Sequence, residues 1–348
     1  MKTSIAGKKI LLIGGAGFIG HHLALYLKQE GADVSVVDGL NINNLLYLHN
    51  TSRHIENREL YIDFVNQRLA ALHHAGIPLF VEDVRDYHKV SHVISNVKPQ
   101  VVVFLAAVAH ANRSNKDPYN TFDHSLRTLE NALDASRDSI EHFIYFSSSM
   151  IYGHFTQGSV TEETPCNPIG IYGALKFAGE KMVISYNQSF GLPYTIVRPS
   201  ALYGERCISQ RVGQIFIENA LMGKNITIQG DGHDRLDFTY VADVASGIKN
   251  IIEHANSINQ TFNLTYGESR SISEMAEIVQ KHFPKVTINY TPKDKLMPDR
   301  GTLSVEKAKT MIGYSPQHPL ERAYLHYIKW YRALFQGRQA EMIQMVKG

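Results

Sequence analysis

The chain reads Lys8-Lys9-Ile10-Leu11-Leu12-Ile13-Gly14-Gly15-Ala16-Gly17-Phe18-Ile19-Gly20 near its N-terminus, and this stretch determines the predicted fold. Residues 8–14 have the continuous apolar character of a buried strand, and the leucines that follow Gly20 continue as a helix. In that context Gly14 permits a tight turn, Gly17 lets the backbone approach a pyrophosphate, and Gly20 lets helix and strand pack closely. The stretch therefore predicts a dinucleotide-binding turn, with Phe18 and Ile19 opening the helix beside it. The alternative is a plain glycine-rich turn.

A second predicted strand, from Asp33 to Asp38, ends in an acid eighteen residues after Gly20. A carboxylate at this place accepts hydrogen bonds from the ribose hydroxyls of NAD and repels the 2′-phosphate of NADP. No Arg or Lys lies between Gly39 and Asn50 to attract that phosphate. The sequence therefore favours NAD as the cofactor, bound in part by Asp38.

Later apolar runs predict further parallel strands at 78–81, 101–105, 143–146 and 194–198, so we expect an α/β fold with a Rossmann-type doubly wound sheet. Asp83 and Val84 follow the first of these runs. Asp83 could bind the adenine amino group, although it could also cap a helix, a role that Asp86 explains at least as well. Leu105, Ala106 and Ala107 end the next run, and the small alanines would let a cofactor lie across the strand end.

Ser147, Ser148 and Ser149 follow the strand at 143–146, where the ends of parallel strands face a ligand crevice. Tyr172 and Lys176 are four residues apart in a predicted helix that runs to about Ser189, so their side chains share one face. A cation near a phenol favours the phenolate, and such a Tyr suits proton transfer with a sugar hydroxyl. Each signal is common by itself: a solvated helix face and serine turn formers are the alternatives. Together they predict Tyr172, Lys176 and Ser148 as catalytic residues.

The totals are those of a globular enzyme: 348 residues, 44% hydrophobic, 20% charged and a formal net charge of +2. The basic residues are dispersed, so nucleic acid is an improbable partner. No run of eighteen apolar residues predicts a membrane span. Two separated cysteines, Cys166 and Cys207, indicate neither a disulfide framework nor a metal site, and they fit the cytoplasm.

The βα alternation loosens beyond Tyr203-Gly204, which predicts a second lobe. We assign 1–199 to the NAD-binding domain, with a strand and helix at 237–255 returning to it, and 200–236 and 256–348 to a smaller C-terminal α/β substrate-binding lobe. Within that lobe we expect helices at 212–222, 272–282 and 305–312, a strand at 226–228, and a small sheet that contains Phe262 to Leu264. Ser271 and Glu274 have capping-box spacing.

A polar insertion from Asn41 to Gly76 includes a helical pattern around 59–75. It could border the active site or form an interface. A nucleic-acid or partner-binding role there has only Arg53, Arg58 and Arg68 for positive charge.

With these motifs together, the chain resembles the extended short-chain dehydrogenase/reductase family, the NAD-dependent nucleotide-sugar epimerases and dehydratases, from Gly14 to about Trp330. The resemblance rests on the glycine turn, on Ser148 with Tyr172 and Lys176, on Arg198-Pro199 followed by Tyr203-Gly204, and on Asp237-Phe238. It implies bound NAD, contacted also by Pro199, a C-terminal lobe that binds a nucleotide-diphosphate sugar, and a homodimer through the helices at 119–136 and 172–189. It suggests a role in polysaccharide precursor synthesis.

One pair of positions narrows the activity. Family members that resemble hexose dehydratases have Asp-Glu after the catalytic hydroxyl, and decarboxylating members keep the Glu, whereas this chain has Ser149 and Met150. A thioether transfers no proton, which disfavours dehydration. The resemblance therefore implies a 4-epimerase of the UDP-glucose, UDP-N-acetylglucosamine or UDP-glucuronate type, with a transient 4-keto sugar and hydride return to its opposite face.

The predicted substrate-binding residues include several that depart from the family pattern: Ala201 replaces a common Asn, and Arg235 and Arg300 are displaced relatives of the usual arginines. Either arginine could bind a phosphate or simply lie on the surface. The predicted set is Ser148, Ser149, Met150, Tyr172, Ala201, Arg211, Arg235 and Arg300.

Other activities stay open at this level. A net reductase or dehydrogenase, or a decarboxylase or dehydratase of the same family, would use the same core. Chemistry at C3 or C5 would need further acid and base groups, for which His110, His154 and Cys166 are candidates, each more often a plain loop residue. A non-catalytic NAD-binding regulator is the alternative from another class.

Overall fold

The computed structural model describes residues 3–42, 44–50, 54–108, 111–155, 158–293 and 298–347, with the backbone alone at 111–112 and 338–347. The strands, in chain order, are β1 (Lys9–Ile13), β2 (Asp33–Val37), β3 (Leu79–Phe80), β4 (Val101–Phe104), β5 (His142–Phe146), β6 (Ser159–Val160), β7 (Tyr194–Arg198), β8 (Leu202–Tyr203), β9 (Ile226–Gln229), β10 (Arg235–Leu236), β11 (Thr239–Tyr240), β12 (Gln260–Asn263), β13 (Arg270–Ser271), β14 (Ile288–Thr291) and β15 (Thr302–Leu303).

The helices are α1 (Phe18–Gln29), α2 (Leu45–Asn50), α3 (Arg58–His74), α4 (Tyr87–Val97), α5 (Ala111–Lys116), α6 (Pro118–Phe122), α7 (Thr128–Ser136), α8 (Gly170–Phe190), α9 (Val212–Leu221), α10 (Val241–Glu253), α11 (Ile272–His282), α12 (Glu306–Ile312) and α13 (Leu320–Lys347). A π-helical segment, Asp123–Arg127, joins α6 to α7, and 3-10 turns occupy Ser149–Tyr152 and Ala255–Ser257.

Within the described ranges, seven strands form a parallel sheet in the order β12-β7-β5-β4-β1-β2-β3. The order reverses between β1 and β4, so the carboxyl ends of these two strands border the crevice where a doubly wound sheet binds ligands. The predicted α/β fold with a Rossmann-type sheet is confirmed.

Both faces of this sheet are buried. Successive side chains along a strand point to opposite faces, so each strand contributes to two apolar clusters. In β1, Ile10 and Leu12 join one apolar cluster, and Leu11 and Ile13 join the other. Helices α1 and α10 pack together on the first face, and α4 packs against α7 on the second. The continuous apolar run of β1 is thus explained by burial on two sides.

A second core lies beneath α9, α11 and α13, and helix α3 of the insertion packs into it. The ring of Phe64 lies 5.1 Å from that of Trp330. The sequence analysis did not predict α13, which buries three tyrosines of this core, Tyr324, Tyr327 and Tyr331. The insertion is therefore a structural part of the second core, and its α3 confirms the helix predicted around 59–75.

Glu218 links the insertion to this core. Its buried carboxylate accepts hydrogen bonds from Asn57 (2.8 Å), Tyr61 (2.7 Å), Gln214 (2.9 Å) and Tyr331 (2.7 Å). These four neutral donors satisfy the Glu218 carboxylate, which lies where α3, α9 and α13 meet.

Three predicted elements differ from the structure. Phe262 lies in β12, which pairs with β7 at the edge of the main sheet, so a separate small sheet there is wrong. The strand expected near 237–244 is short and pairs with β8 outside the main sheet, although α10 does pack on α1 as expected. The helix predicted at 119–136 is one helical stretch that contains the π-helical segment.

The other predicted lobe elements are present. Helices α9, α11 and α12 occupy the expected segments, β9 follows the turn at 223–225, and Ser271 and Glu274 form the complete capping box. Residues of α12 pack in the first core with Phe262. The division into domains at 199 and 256 stays a prediction. That division assigns β12 and α12 to the second lobe, whereas both pack with the main sheet. No helix in the described part of the chain is long and apolar enough to cross a membrane.

Candidate active site

The glycine turn after β1 has the backbone geometry that a dinucleotide phosphate needs. Gly14 has φ +80°, and a Cβ there would lie 2.7 Å from the Ala106 nitrogen. A Cβ on Gly20 would lie 2.5 Å from the Gly15 Cα, so α1 packs directly on the turn. A Cβ on Gly17 would meet only the Gly14 oxygen, at 3.4 Å. The protein itself leaves room at Gly17, as expected where a ligand approaches the helix N-terminus.

The turn borders a cleft of about 920 Å³ that is open to solvent. Of the residues predicted to bind the cofactor or substrate, the following line it: Gly14, Gly17, Phe18, Ile19, Gly20, Asp38, Asp83, Val84, Leu105, Ala106, Ala107 and Arg211. They come from the ends of β1, β2, β3 and β4, from the first turn of α1 and from the N-cap of α9. The structure thus brings the predicted cofactor residues, apart from Pro199, Tyr172 and Lys176, to one cavity.

Asp38 lies at the end of β2, where its carboxylate accepts hydrogen bonds from the backbone nitrogens of Ala16 (3.0 Å) and Leu40 (2.8 Å). Burial raises the pKa of this carboxyl, and the two hydrogen bonds partly oppose the shift. Asp38 lines the cleft beside the glycine turn, and its binding of the ribose hydroxyls of NAD stays a prediction.

Asp83 is held by a neighbouring arginine. Arg85 donates to both carboxylate oxygens of Asp83, at 2.6 and 3.1 Å, and also pairs with Asp123 at 3.0 Å. This hydrogen bonding lowers the pKa of Asp83. An adenine amino group would share the carboxylate with Arg85. The N-cap of α4 is Asp86, whose carboxylate accepts from the His88 and Lys89 nitrogens, which confirms that part of the sequence analysis.

Lys176 and Ser148 lie close together at the end of β5. The buried ammonium of Lys176 donates to the Phe146 carbonyl at 2.6 Å. Burial lowers the pKa of Lys176 to about 7, and Glu180 one turn further along α8 opposes that shift. Ser148 is buried, and its hydroxyl oxygen accepts from the Met150 nitrogen at 3.2 Å, which leaves its proton free to donate to a ligand.

Tyr172 enters this group through the packing of α8. A Cβ on Gly173 would lie 2.9 Å from the Met150 carbonyl, so the first turn of α8 is in close contact with the turn that follows Ser148. Within the described residues the half-buried Tyr172 hydroxyl makes no hydrogen bond. The predicted alignment of Tyr172 with Lys176 on one helix face holds, but Lys176 directs its ammonium to the β5 carbonyl.

Arg300 reaches the same place from the second lobe. Its guanidinium donates to the hydroxyls of Ser149 and Ser200, the latter at 2.7 Å, and contacts the sulfur of Met150 at 3.2 Å. Burial lowers the pKa of Arg300 to about 10, Arg211 adds to the shift, and Tyr172 and Asp237 oppose it. Three predicted substrate residues, Ser149, Met150 and Arg300, are therefore in mutual contact.

The sequence profile of the NAD dependent epimerase/dehydratase family matches residues 10–265. The chain belongs to this family. As an epimerase/dehydratase family member it is an NAD-dependent enzyme, in agreement with the glycine turn and with Asp38.

Relatives extend over nearly the whole chain. A protein of Bacillus subtilis strain 168 described as an uncharacterized UDP-glucose epimerase is 29% identical over 341 residues, which cover 94% of this chain and 99% of the relative. The dTDP-glucose 4,6-dehydratase of Haemophilus influenzae is 24% identical over 349 residues, 92% of this chain and 97% of its own. The solved UDP-glucuronic acid 4-epimerase of Bacillus cereus, in complex with UDP-glucuronic acid and NAD, has a TM-score of 0.82 at 25% identity, covering 93% and 99% of the two chains.

Three of the predicted site residues, Arg235, Ala201 and Pro199, are not among the residues that line the cleft. Arg235 is exposed and donates to Ser269 at 3.1 Å. Ala201 has φ 38°, a backbone conformation that Asn adopts more readily, and it packs beside the second core. The Pro199 carbonyl accepts from the Ser149 nitrogen at 3.0 Å, so it supports the turn that follows β5.

The alternative acid and base candidates gain no support. His154 is exposed and lies 3.2 Å from the carboxylate of Asp299. Burial raises the pKa of the free Cys166 thiol, which packs at the edge of a small apolar cluster. His110 lies outside the described residues.

Two features of the site escaped the sequence analysis. Arg68 of α3 is fully buried, lines the cofactor cleft and donates to the Arg206 carbonyl at 3.0 Å. Arg198 and Glu180 form a buried pair at 2.8 Å behind Lys176. For the buried pair, one signal in the sequence could have helped. Glu180 follows Lys176 by four residues in α8, so the two side chains share one helix face.

Proposed function

We propose that the protein is an NAD-dependent nucleotide-sugar 4-epimerase. The observation that carries this proposal is the composition of the site around Ser148. Tyr172, Lys176 and Ser148 supply the groups for reversible oxidation of a hydroxyl, and the next two residues are Ser149 and Met150. Among the described residues, no carboxylate hydrogen-bonds to Ser148, Ser149 or Met150. Elimination of water needs a further acid and base that this arrangement lacks.

Each residue has a defined task in such a reaction. Tyr172 takes the proton from the C4 hydroxyl as a ketone forms and returns it when the hydroxyl is restored. Ser148 donates its free proton to the same oxygen. Lys176 favours the phenolate when protonated, and its pKa of about 7 keeps that state populated near neutral pH. NAD, which Gly14, Gly17 and Asp38 would help to hold, would supply a hydride acceptor for C4 and the donor for the return transfer, so the reaction would have no net oxidation.

Glu180 does not offer the missing acid or base. Arg198 donates to both of its carboxylate oxygens, at 3.0 and 2.8 Å, and both side chains are buried. A carboxylate held by both arms of a guanidinium is fixed in place, which suits positioning of α8 behind Lys176.

The test is a panel of UDP-, dTDP- and GDP-sugars followed by NMR, with NADH absorbance recorded in parallel. We expect C4 epimers without a stoichiometric change in NADH, and loss of roughly 100-fold or more in kcat for Tyr172→Phe. Tyr186→Phe, which removes a hydroxyl from the same helix, should keep wild-type activity. Stoichiometric NADH change would select a reductase or dehydrogenase instead, and a 4-keto-6-deoxy product would select a dehydratase.

The family resemblance also leads us to propose a homodimer through α6–α7 and α8. Tyr119, Phe122 and Phe190 expose large apolar side chains on these helices, in line with a covered face. Sedimentation equilibrium tests this, and a monomer at micromolar concentration would reject it. We propose cytoplasmic polysaccharide precursor synthesis as the setting, because nucleotide sugars are the substrates in question.

A further inference from the structure

Arg300 is a cation inside the proposed sugar site that lacks an acidic partner. Its Nη2 atom donates to the Ser149 and Ser200 hydroxyls, and its Nη1 contacts the Met150 sulfur. Its Nε–H is buried without a hydrogen-bond partner. Among the described residues, no carboxylate lies within 4 Å of the guanidinium. A guanidinium with a fork of five donors is thus satisfied only by neutral and weak acceptors.

Such an arrangement is unfavourable for the protein alone. Arg300 is half-buried, with its Nε–H fully covered by protein. A charge withdrawn from water to this extent is normally paired, because neutral hydrogen bonds only partly offset the cost of its removal from water. The carboxylate of Asp237 influences Arg300 from a distance, but it already accepts hydrogen bonds from Thr265 (2.9 Å) and from the nitrogens of Gly267 (3.2 Å) and Leu303 (3.1 Å). The unused donor capacity of Arg300 therefore points to an anion that arrives with the substrate.

The position of Arg300 indicates which part of the sugar carries that anion. In the proposed reaction, Ser148 and Tyr172 hold the C4 oxygen. Arg300 contacts Ser149 and Met150, the two residues that directly follow Ser148. C4 has two ring neighbours: C3, which carries a neutral hydroxyl, and C5, which carries the C6 substituent, whereas C1, which bears the diphosphate, is on the opposite side of the ring. Of the groups beside C4, C6 is the one that can be an anion, so the contacts of Arg300 favour C6 over the more distant phosphates.

We propose that Arg300, Ser149 and Ser200 bind the C6 carboxylate of a hexuronic acid, so that the substrate is a nucleotide-linked hexuronate. The inference rests on the proposed 4-epimerase function and names its substrate class. A guanidinium binds a planar carboxylate through two parallel hydrogen bonds, and the two serine hydroxyls supply further donors to the same group. A neutral hydroxymethyl group would leave the Arg300 guanidinium without an anionic partner.

The experiment compares UDP-glucuronate with UDP-glucose, two substrates that differ only at C6. The full-length, NAD-containing protein is used as wild type, Arg300→Met, Arg300→Lys and a control, Arg270→Met. Arg270 is an arginine of the same lobe whose guanidinium pairs with Glu268 and Glu321, away from the site. For each protein kcat/KM is measured by NMR, and bound NAD and the melting temperature report on folding.

We expect the wild type and Arg270→Met to prefer UDP-glucuronate by at least about 10-fold. Arg300→Met should lose roughly 10- to 100-fold in kcat/KM on UDP-glucuronate, the range for a lost hydrogen bond to a charged group, and no more than about 3-fold on UDP-glucose. Arg300→Lys keeps the charge but not the paired donors, so it should fall between them.

The outcomes separate the two proposals. Turnover of UDP-glucose but not UDP-glucuronate by the wild type would overturn the uronate assignment and leave the 4-epimerase standing. Equal losses on both sugars in a folded Arg300→Met would also overturn it. Turnover of neither sugar by the wild type would overturn the assignment of a UDP-hexuronate substrate, and the UDP-, dTDP- and GDP-sugar panel then decides separately whether the 4-epimerase stands. If Arg300→Met fails to fold, the uronate assignment is decided by two other results: the preference of the wild type for UDP-glucuronate and the decrease of that preference in Arg300→Lys.

Discussion

Replacing Gly20 and Gly17 separately by alanine should separate the packing role of the glycine turn from its cofactor role. A Cβ on Gly20 would lie 2.5 Å from the Gly15 Cα, 2.6 Å from its oxygen and 2.7 Å from its carbonyl carbon. Carbon atoms pack at about 3.5–4.0 Å, so α1 would have to move roughly 1 Å away from the turn. All three contacts are backbone atoms, which no side-chain rotation can relieve.

The expected cost for Gly20→Ala follows from two opposing effects. Overpacking typically costs about 1–3 kcal/mol, whereas alanine in a helix returns about 1 kcal/mol relative to glycine. Because all three contacts are with backbone atoms, we take the upper part of the overpacking range, about 2–3 kcal/mol, and expect a net destabilisation of about 1–2 kcal/mol. With an unfolding entropy of about 2.1 cal/mol/K per residue, this corresponds to a Tm decrease of about 1–3 °C. Because the helix N-terminus moves away from the phosphate site, bound NAD should also decrease.

Gly17→Ala is the matched control. Gly17 has φ −72° and ψ −177°, an extended conformation open to any residue, and its Cβ would meet only the Gly14 oxygen at 3.4 Å. We expect the free energy of unfolding to change by less than about 1 kcal/mol. The new methyl group would project into the cofactor cleft, so NAD affinity should fall at least about tenfold.

The assay measures thermal unfolding of nucleotide-free protein and NAD released on denaturation, for wild type and both variants. Loss of NAD with an unchanged Tm in Gly17→Ala, and loss of both in Gly20→Ala, is the expected pattern. Full NAD content in Gly17→Ala, or wild-type stability in Gly20→Ala, would refute the assignment of these glycines.

Two further predictions concern buried charge. Because burial lowers the pKa of Lys176 from 10.5 to about 7, the unfolded chain binds a proton between these pH values that the folded chain does not. The free energy of unfolding of the nucleotide-free wild type should therefore rise from pH 7 to pH 9 relative to Lys176→Met, by about 1.4 kcal/mol per pH unit. The same pH dependence for both proteins in urea denaturation at pH 7, 8 and 9 would contradict this. Arg198→Met leaves the Glu180 carboxylate buried and unpaired, and we expect a loss of about 3–5 kcal/mol in urea denaturation. The double variant Arg198→Met/Glu180→Leu should recover part of that loss, and an unchanged midpoint in the single variant would show that the pair does not stabilise the fold.

Local sequence predicted most of the first half of the molecule. The strand, turn and helix at 8–29 follow from an apolar run and from glycines whose backbone geometry has few alternatives. Asp38 could be placed at the end of β2 because it ends the apolar run that begins after Asp33, eighteen residues after Gly20. The capping box of Ser271 and Glu274 and the N-cap at Asp86 were readable for the same reason, since their partners lie within three residues.

Several contacts in the candidate site and in the second core join residues far apart in sequence. Arg300 lies 151 residues from Ser149, and Glu218 lies 157 residues from Tyr61. The edge position of β12 likewise depends on pairing with β7, which no property of residues 260–263 announces. The sequence alone determined the glycine turn and the shared helix face of Tyr172 and Lys176, because backbone geometry and helical spacing are local. Only the tertiary structure decided where the buried charges meet, because a charge takes its partner from whatever the packed core brings beside it.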